Sequence, residues 1–323
     1  MEQSDKKKKK HWILRILVVL LLLILIVAVI LAIWLVPRAR RLQRGLTAQN
    51  CAITAQVSLD RQTLTADQQK FLQSLSLLTG LDETEWEKLK LQGGYGAGTV
   101  ELAVYGGQDA LLTQLYLTQD CQAMNLHIIY DRAYDHLTEQ FGLLSHVLPQ
   151  WNLGDYVALQ QLEYAFGLEL GTPGTEKLSD FEARLEQFQS RLSLPMLCGA
   201  ILAADQWDRE SHELVYNITA SDRRLALARQ MGEKLGNARQ TGCGQLPEGG
   251  ELDVVIYLGE PQVRMQVTGK LPEVKQLADW SLELTWDGYS STGEDITLVD
   301  QQLINDLAEL LKLLEALHGL SEG

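Results

Sequence analysis

From Ile16 to Val36 the chain carries 21 apolar residues without a break. As a helix rising 1.5 Å per residue that run is about 32 Å long, close to the hydrocarbon thickness of a bilayer. Only a helix satisfies its own peptide groups in such a layer. Trp12 and Trp34 stand at its two ends, where indole rings collect at a lipid interface, and act as membrane anchors in this reading. Pro37 is expected to stop the helix. A signal peptide has a shorter apolar stretch followed by small residues, and Pro37-Arg38-Ala39-Arg40-Arg41 offers no such cleavage site. The pattern therefore predicts a basic tail over 1–11, an uncleaved single-pass transmembrane helix over 12–37, and a polar stalk over 38–49.

Beyond residue 50 the periods are shorter. Cys51 to Leu59 alternates, with Ile53, Ala55, Val57 and Leu59 on one side, and predicts a half-buried strand. Thr65-x-x-Gln68 is a capping box that opens a helix carrying Phe71, Leu72, Leu75 and Leu78 and stopping at Gly80. Asp82 opens a second short helix with Trp86 and Leu89. Thr99–Tyr105, Leu111–Leu117 and Met124–Tyr130 are expected as an antiparallel meander. Residues 131–195 shift to helical spacing and are expected as an inserted set of helices. Leu214–Thr219 returns to strand, and Ser221 starts a helix. Leu252 to Leu258, Val263 to Val267 and Trp280 to Trp286 alternate most cleanly of all. A closing helix is expected from Val299 to Leu320. Ile53-Thr54-Ala55 and Ile218-Thr219-Ala220 each precede a helix and a meander, a hint of an internal duplication.

The 323 residues carry a formal charge of −14. It is unevenly spread: residues 1–44 hold ten basic and two acidic side chains, the remainder eighteen and forty. So acidic a body lacks the basic footprint a nucleic-acid binder needs. The basic residues at Lys6 to Lys10 and Arg15 slightly outnumber the four arginines after the apolar run, which places the N-terminus in the cytoplasm and the body outside. Cys51, Cys121, Cys198 and Cys243 all fall in the body. They allow two disulfides, with Cys51–Cys121 and Cys198–Cys243 the pairing of nearest neighbours, or four reduced thiols.

Strand, helix, then long antiparallel strands, seen again from Leu252 to Trp286 and more loosely over 50–130, is similar to the lipoprotein-carrier superfamily. That group includes the LolA-like periplasmic carriers and the mycobacterial lipid-binding lipoproteins. The resemblance implies a curved, unclosed half-barrel whose concave apolar face is covered by helices and can hold acyl chains. The inserted helices and the uncleaved anchor depart from that pattern, and no residue motif carries a function across.

Specific chemistry is thin. Gly94-Tyr95-Gly96-Ala97-Gly98 misses the G-x-G-x-x-G spacing and precedes a strand, so it reads as a β-turn or bulge. His127, His136 and His146 have no metal-site spacing, and His212-Glu213 lacks a second histidine. Asp131, Asp135 and Glu139 fit one helix face, better explained as a solvated acidic stripe than as acid–base machinery. Asp287 to Asp295 lacks the calcium-loop pattern. Trp207, Trp280 and Trp286 can line a ligand wall, with core packing the more ordinary role.

The reading is thus an α+β body with a curved antiparallel sheet covered by helices, behind a single transmembrane helix, and without catalytic, metal or cofactor residues. Its candidate apolar ligand face is Val254, Ile256, Val263, Met265, Leu282 and Leu284. Function is expected as a membrane-anchored binding module outside the cytoplasm, partnered with the bilayer and with a lipid or other apolar ligand. Recognition of a protein partner, as an envelope sensor or assembly component, is the alternative, and an envelope hydrolase a more distant one.

Overall fold

A computed structural model of the chain describes residues 29, 33–118, 121–146, 156–166, 183, 186–187, 189–208, 210–225, 246–259, 262–291, 296–306 and 308–309. Its centre is one sheet of eleven strands. In chain order these are β1 (Cys51–Leu59), β2 (Lys88–Gly96), β3 (Thr99–Tyr105), β4 (Leu111–Leu117), β5 (Gln122–Met124), β6 (Val157–Ala158), β7 (Gln206–Asp208), β8 (Glu213–Thr219), β9 (Glu251–Tyr257), β10 (Val263–Lys270) and β11 (Leu277–Trp286). They lie side by side as β6-β5-β4-β3-β2-β1-β11-β10-β9-β8-β7, and every neighbouring pair is antiparallel. The sheet is thus two meanders that meet where the first strand pairs with the last.

Helix α1 covers residues 33–46. It is followed by α2 (Ala66–Thr79), α3 (Glu83–Glu87), α4 (His127–Gln140), α5 (Leu159–Phe166) and α6 (Leu194–Leu202), and α7 begins at residue 301. The start of α2 follows directly from its sequence. The Thr65 hydroxyl accepts from the Gln68 amide, and the Gln68 side chain accepts from the Thr65 amide. Gly80 closes the helix in the left-handed region at φ 67°.

The expectation of a single transmembrane helix is corrected. Most of the apolar run lies outside the described residues, and among the described residues no helix is long and apolar enough to cross a membrane. Its end, where Pro37 was expected to stop the helix and 38–49 to form a stalk, is instead α1, which runs on to residue 46. The reason is tertiary. Leu35, Ala39 and Leu42 repeat at helical spacing and are 6%, 0% and 3% exposed, in one cluster with Leu214, Tyr216, Leu258 and Val263 of the sheet region. Packing of that stripe outweighs the one backbone hydrogen bond a proline removes. Gly45 allows the close approach, since a Cβ there would stand 2.5 Å from a Val263 methyl.

Met124–Tyr130 is likewise not a strand. β5 stops at Met124, and His127 to Gln140 is helical. The run His127-Ile128-Ile129-Tyr130 has strand-like local preference, but as helix it packs Tyr130 against the cluster of Val157, Val299 and Ile304. The inserted region expected as all helix also contributes β6, and Leu298 makes only a single parallel bridge to Tyr156. The later part of the closing helix lies outside the described residues.

Leu214 is fully buried whereas Leu77 on α2 is 70% exposed. Leu214→Ala is expected to lower unfolding free energy by about 2–5 kcal/mol, and Leu77→Ala to change it by less than about 0.5 kcal/mol. Urea titration followed by circular dichroism checks both.

Candidate functional site

Because side chains alternate along each strand, the pairing registers show which residues share a face. One row crosses all eleven strands: Val157, Met124, Leu115, Leu102, Gly93, Ile53, Leu284, Met265, Ile256, Leu214 and Trp207. The adjacent row on that face holds Val104, Leu91, Ala55, Leu282, Val267, Val254 and Tyr216. The row on the opposite face, Gln114, Ala103, Gln92, Thr54, Glu283 and Gln266, is largely polar and turns apolar at Val255 and Val215. The sheet therefore has one continuous apolar face.

All six residues expected on a ligand face lie on it, but their surroundings differ. Val263 is 4% exposed, and Val254 and Ile256 pack against the same cluster under α1 and α6. Met265, Leu282 and Leu284 are half-buried, as are Ile53, Leu91 and Leu102 further along. On β11, β1, β2 and β3 no described residue of the apolar face is buried. Sequence reasoning missed this first half of the face, although β1 to β4 carry the same alternation. At its middle Gly93 has no side chain, and a Cβ there would lie 1.9 Å from the Glu101 carbonyl oxygen. The apolar floor therefore has a notch that no other residue can fill without moving the backbone.

Trp207 and Trp286 reach the α1 end of the face, and Trp280 stands in its own row opposite Val57. Trp34, expected at a lipid interface, sits edge-on to Trp207 with centroids 5.7 Å apart. The Arg38 guanidinium lies 4.6 Å from the Trp34 ring and 4.8 Å from the Trp207 ring, and Arg38 donates to the Trp34 carbonyl at 2.6 Å. Gln43 donates to the Leu192 carbonyl at 3.0 Å, and Gln189 to the Leu46 and Ala48 carbonyls at 3.1 and 3.3 Å. α1 and the turn after it are thus held by an apolar stripe, a cation–π clamp and three side-chain hydrogen bonds. Trp12 lies outside the described residues.

The glycine run proves to be a hairpin. β2 and β3 are joined by Ala97 and Gly98, both at positive φ (51° and 77°), the two-residue turn that matches strand twist. Gly94 has a second role on the polar face: a Cβ there would lie 2.4 Å from the Tyr289 ring. That ring lies across the sheet to donate its hydroxyl to Glu101 at 2.7 Å, beside Ser291, which donates to the other oxygen at 2.6 Å.

Cys51, Cys121 and Cys198 are free thiols, so neither expected disulfide is formed, and Cys243 lies outside the described residues. Cys51 shares the apolar-face row of Trp286 and Tyr95, and burial pushes its thiol up to about 11, which keeps it protonated and inert. His127 pairs with Asp131 at 3.0 Å along α4, while Asp135 and Glu139 are exposed. His136 sits against Gly80 and contacts Gln140. Among the described residues no three metal-ligating side chains converge.

A surface polar cluster ties together the β7–β8 end. Arg224 donates to Asp222 (2.5 and 2.8 Å), Asp205 (2.9 Å) and the carbonyls of Ala203 and Asn217. The Asn217 amide, with Arg224, holds the Asp205 carboxyl below the usual carboxylate range, and Arg224 does the same for Asp222. Depressed carboxylates stabilise the fold above their unfolded pKa near 3.8 and lose that contribution as pH falls through the folded value. Arg224→Met is therefore expected to be less stable than the parent at neutral pH, with the gap closing below about pH 4. Thermal melts across pH 2 to 7 check this.

No family model matches the chain, and neither does any curated protein or solved structure.

Proposed function

We propose that this protein is a non-enzymatic binding module whose apolar sheet face takes up an apolar ligand, a lipid or other long hydrocarbon. The observation that carries the reading is the unbroken apolar row across eleven strands. Its members from β11 to β3 stay half-buried, whereas Leu214, in the cluster under α1 and α6, is fully buried with Ile256 and Trp207 packed against it. A face that buried itself completely would leave nothing to offer; here the first half keeps apolar surface in reach of a guest, and burial of that surface supplies affinity. The half-barrel of the lipoprotein-carrier superfamily is a resemblance of the same kind and belongs to the proposal. So does placement at the cell envelope, with the acidic body on the outer side. Its support is the asymmetry of the sequence, an apolar and basic N-terminal stretch ahead of an acidic body.

A protein partner is a second reading, supported by a different surface. Phe71, Leu77 and Leu78 of α2 and Phe141 and Leu143 just past α4 are 43% to 82% exposed, and α2 and α4 meet where His136 packs on Gly80. Exposed large apolar side chains on two elements that meet are a recurrent sign of an interface.

Native mass spectrometry of the full chain purified from membrane extract tests the first reading. Bound lipid is expected, and Leu102→Gln, which puts an amide in the middle of the row, is expected to lower occupancy about tenfold, the order set by losing one buried apolar side chain. Ligand-free protein in every preparation contradicts it.

A further inference from the structure

α2 commits little of its apolar surface to the fold. Among its 14 residues are Phe71, Leu72, Leu75, Leu77 and Leu78, and of these large apolar side chains only Leu72 is buried. Phe71, Leu77 and Leu78 are exposed. Phe71, Leu75 and Leu78 follow one another at i, i+4 and i+7, so they form one row along the helix. Phe141 and Leu143, just past the end of α4, are exposed as well. The two elements meet at Gly80, where a Cβ would stand 2.7 Å from His136 Nδ1, and His136 lies less than two turns before Phe141. α2 is also a fixed support. Thr65 and Gln68 cap its start, Gly80 closes it, and the buried Thr79 donates its hydroxyl to the Leu75 carbonyl at 2.7 Å. The row is therefore presented in one conformation, which lowers the ordering cost of anything that binds it.

The rim of this patch is mostly of one sign. On α2 and α4 the exposed charged side chains are Asp67, Asp135 and Glu139 against Lys70, with Arg132 half-buried, and the exposed Asp82 follows just past Gly80. Glu139 stands near the end of α4, where the helix carbonyls are already negative, and that last turn has no basic residue. Asp131 is paired with His127, but among the described residues Asp135 and Glu139 have no cationic partner. The acidic stripe of α4 thus runs up to an apolar patch and is left uncompensated beside it.

We infer that the α2–α4 surface docks an amphipathic helix of a partner protein, one whose apolar side is flanked by lysine or arginine. The inference rests on the protein-partner reading of this patch and names the chemistry of that partner. A row at i, i+4 and i+7 is the ridge against which a second helix packs its own apolar stripe. Basic flanks on the incoming helix supply the cations that the end of α4 lacks. A second copy of the same patch fits poorly, because it sets Asp135 and Glu139 of one chain against those of the other. An anionic lipid surface is repelled by the same rim.

The test uses two fluorescein-labelled synthetic helices of about 18 residues, identical in their leucine positions, one with lysine and one with glutamate at the remaining positions. Each is titrated with the full chain and followed by anisotropy, at low and at high salt. The Leu/Lys helix is expected to bind, and more weakly at high salt, and the Leu/Glu helix is not. Phe71→Gln/Leu78→Gln, two neutral changes at exposed positions, is expected to weaken binding about tenfold. Asp135→Asn/Glu139→Gln is expected to weaken it about threefold. Leu202→Gln, at an exposed position on α6, is expected to leave it unchanged, and circular dichroism confirms that all three variants keep their fold. Equal binding of both helices, or a response to the Phe71/Leu78 variant with none to the Asp135/Glu139 variant, overturns the basic partner and keeps the patch as a protein interface. Loss of binding to phosphatidylcholine vesicles in the Phe71/Leu78 variant alone overturns it in favour of a lipid surface. No binding of the Leu/Lys helix, or binding that ignores the Phe71/Leu78 variant, removes both the inference and the protein-partner reading of this patch.

Discussion

The pairing of β1 with β11 is the constraint on which the rest of this structure depends. Cys51 to Ser58 lie opposite Trp286 to Asp279 in continuous register, so two segments more than 200 residues apart in sequence form the middle of the sheet. Without that seam there are two separate meanders, each with an apolar face too small to seal and an unpaired edge. With it, the rows of the two halves become one face, and the exit of α1 is brought beside β10. Closing so long a loop costs chain entropy that grows slowly with length, and the nine-residue ladder with its apolar row on one side offsets that cost. The sheet ends are blunted in turn, since β6 has two residues and β7 three, which leaves little edge for another chain to extend.

The same apolar face does two different jobs in the two halves. Beneath α1 and α6 it holds the buried cluster of Leu214, Tyr216 and Val263, where the Tyr216 hydroxyl donates to the Ala200 carbonyl at 2.9 Å while Trp207 Nε1 is buried without a partner. From β11 to β3 it is half-buried and carries the Gly93 notch. The difference lies in what the chain places on top and in the strands themselves, where the same row has Gly93 on β2 and Ile256 on β9. That is why a functional reading attaches to the first half although the residues first singled out, Val254 to Met265, sit in or beside the second.

Strands with strict alternation were legible from sequence. β1, β3 and β4 match their expected bounds, β8 and β9 fall within a residue of them, β10 and β11 each run three residues further, and the α2 capping box is present bond for bond. Alternation works because each of those strands has one apolar and one polar side. Three features were hidden, each for a physical reason. The stripe of α1 could not be seen because Leu35 lies in a run where every position is apolar, so no period shows. Residues 127–130 are β-branched or aromatic and prefer strand locally, but Ala133 and Tyr130 find their burial in a helix. The Arg38 clamp joins residues 38 and 207, a contact no spacing rule predicts. Of the candidate site, the face of each strand was readable; which half would be covered was not, because it is decided by α1 and α6, which pack on it from distant parts of the sequence.

Residue-resolved hydrogen exchange of the full chain tests the central role of the seam most directly. The amides of Ile53 to Val57 and of Trp280 to Leu284 are expected to exchange last, at the rate set by global unfolding. Slower exchange in β3–β4 or β9–β10, with β1 and β11 opening early and independently, would show that the halves hold themselves together and that the seam merely joins them.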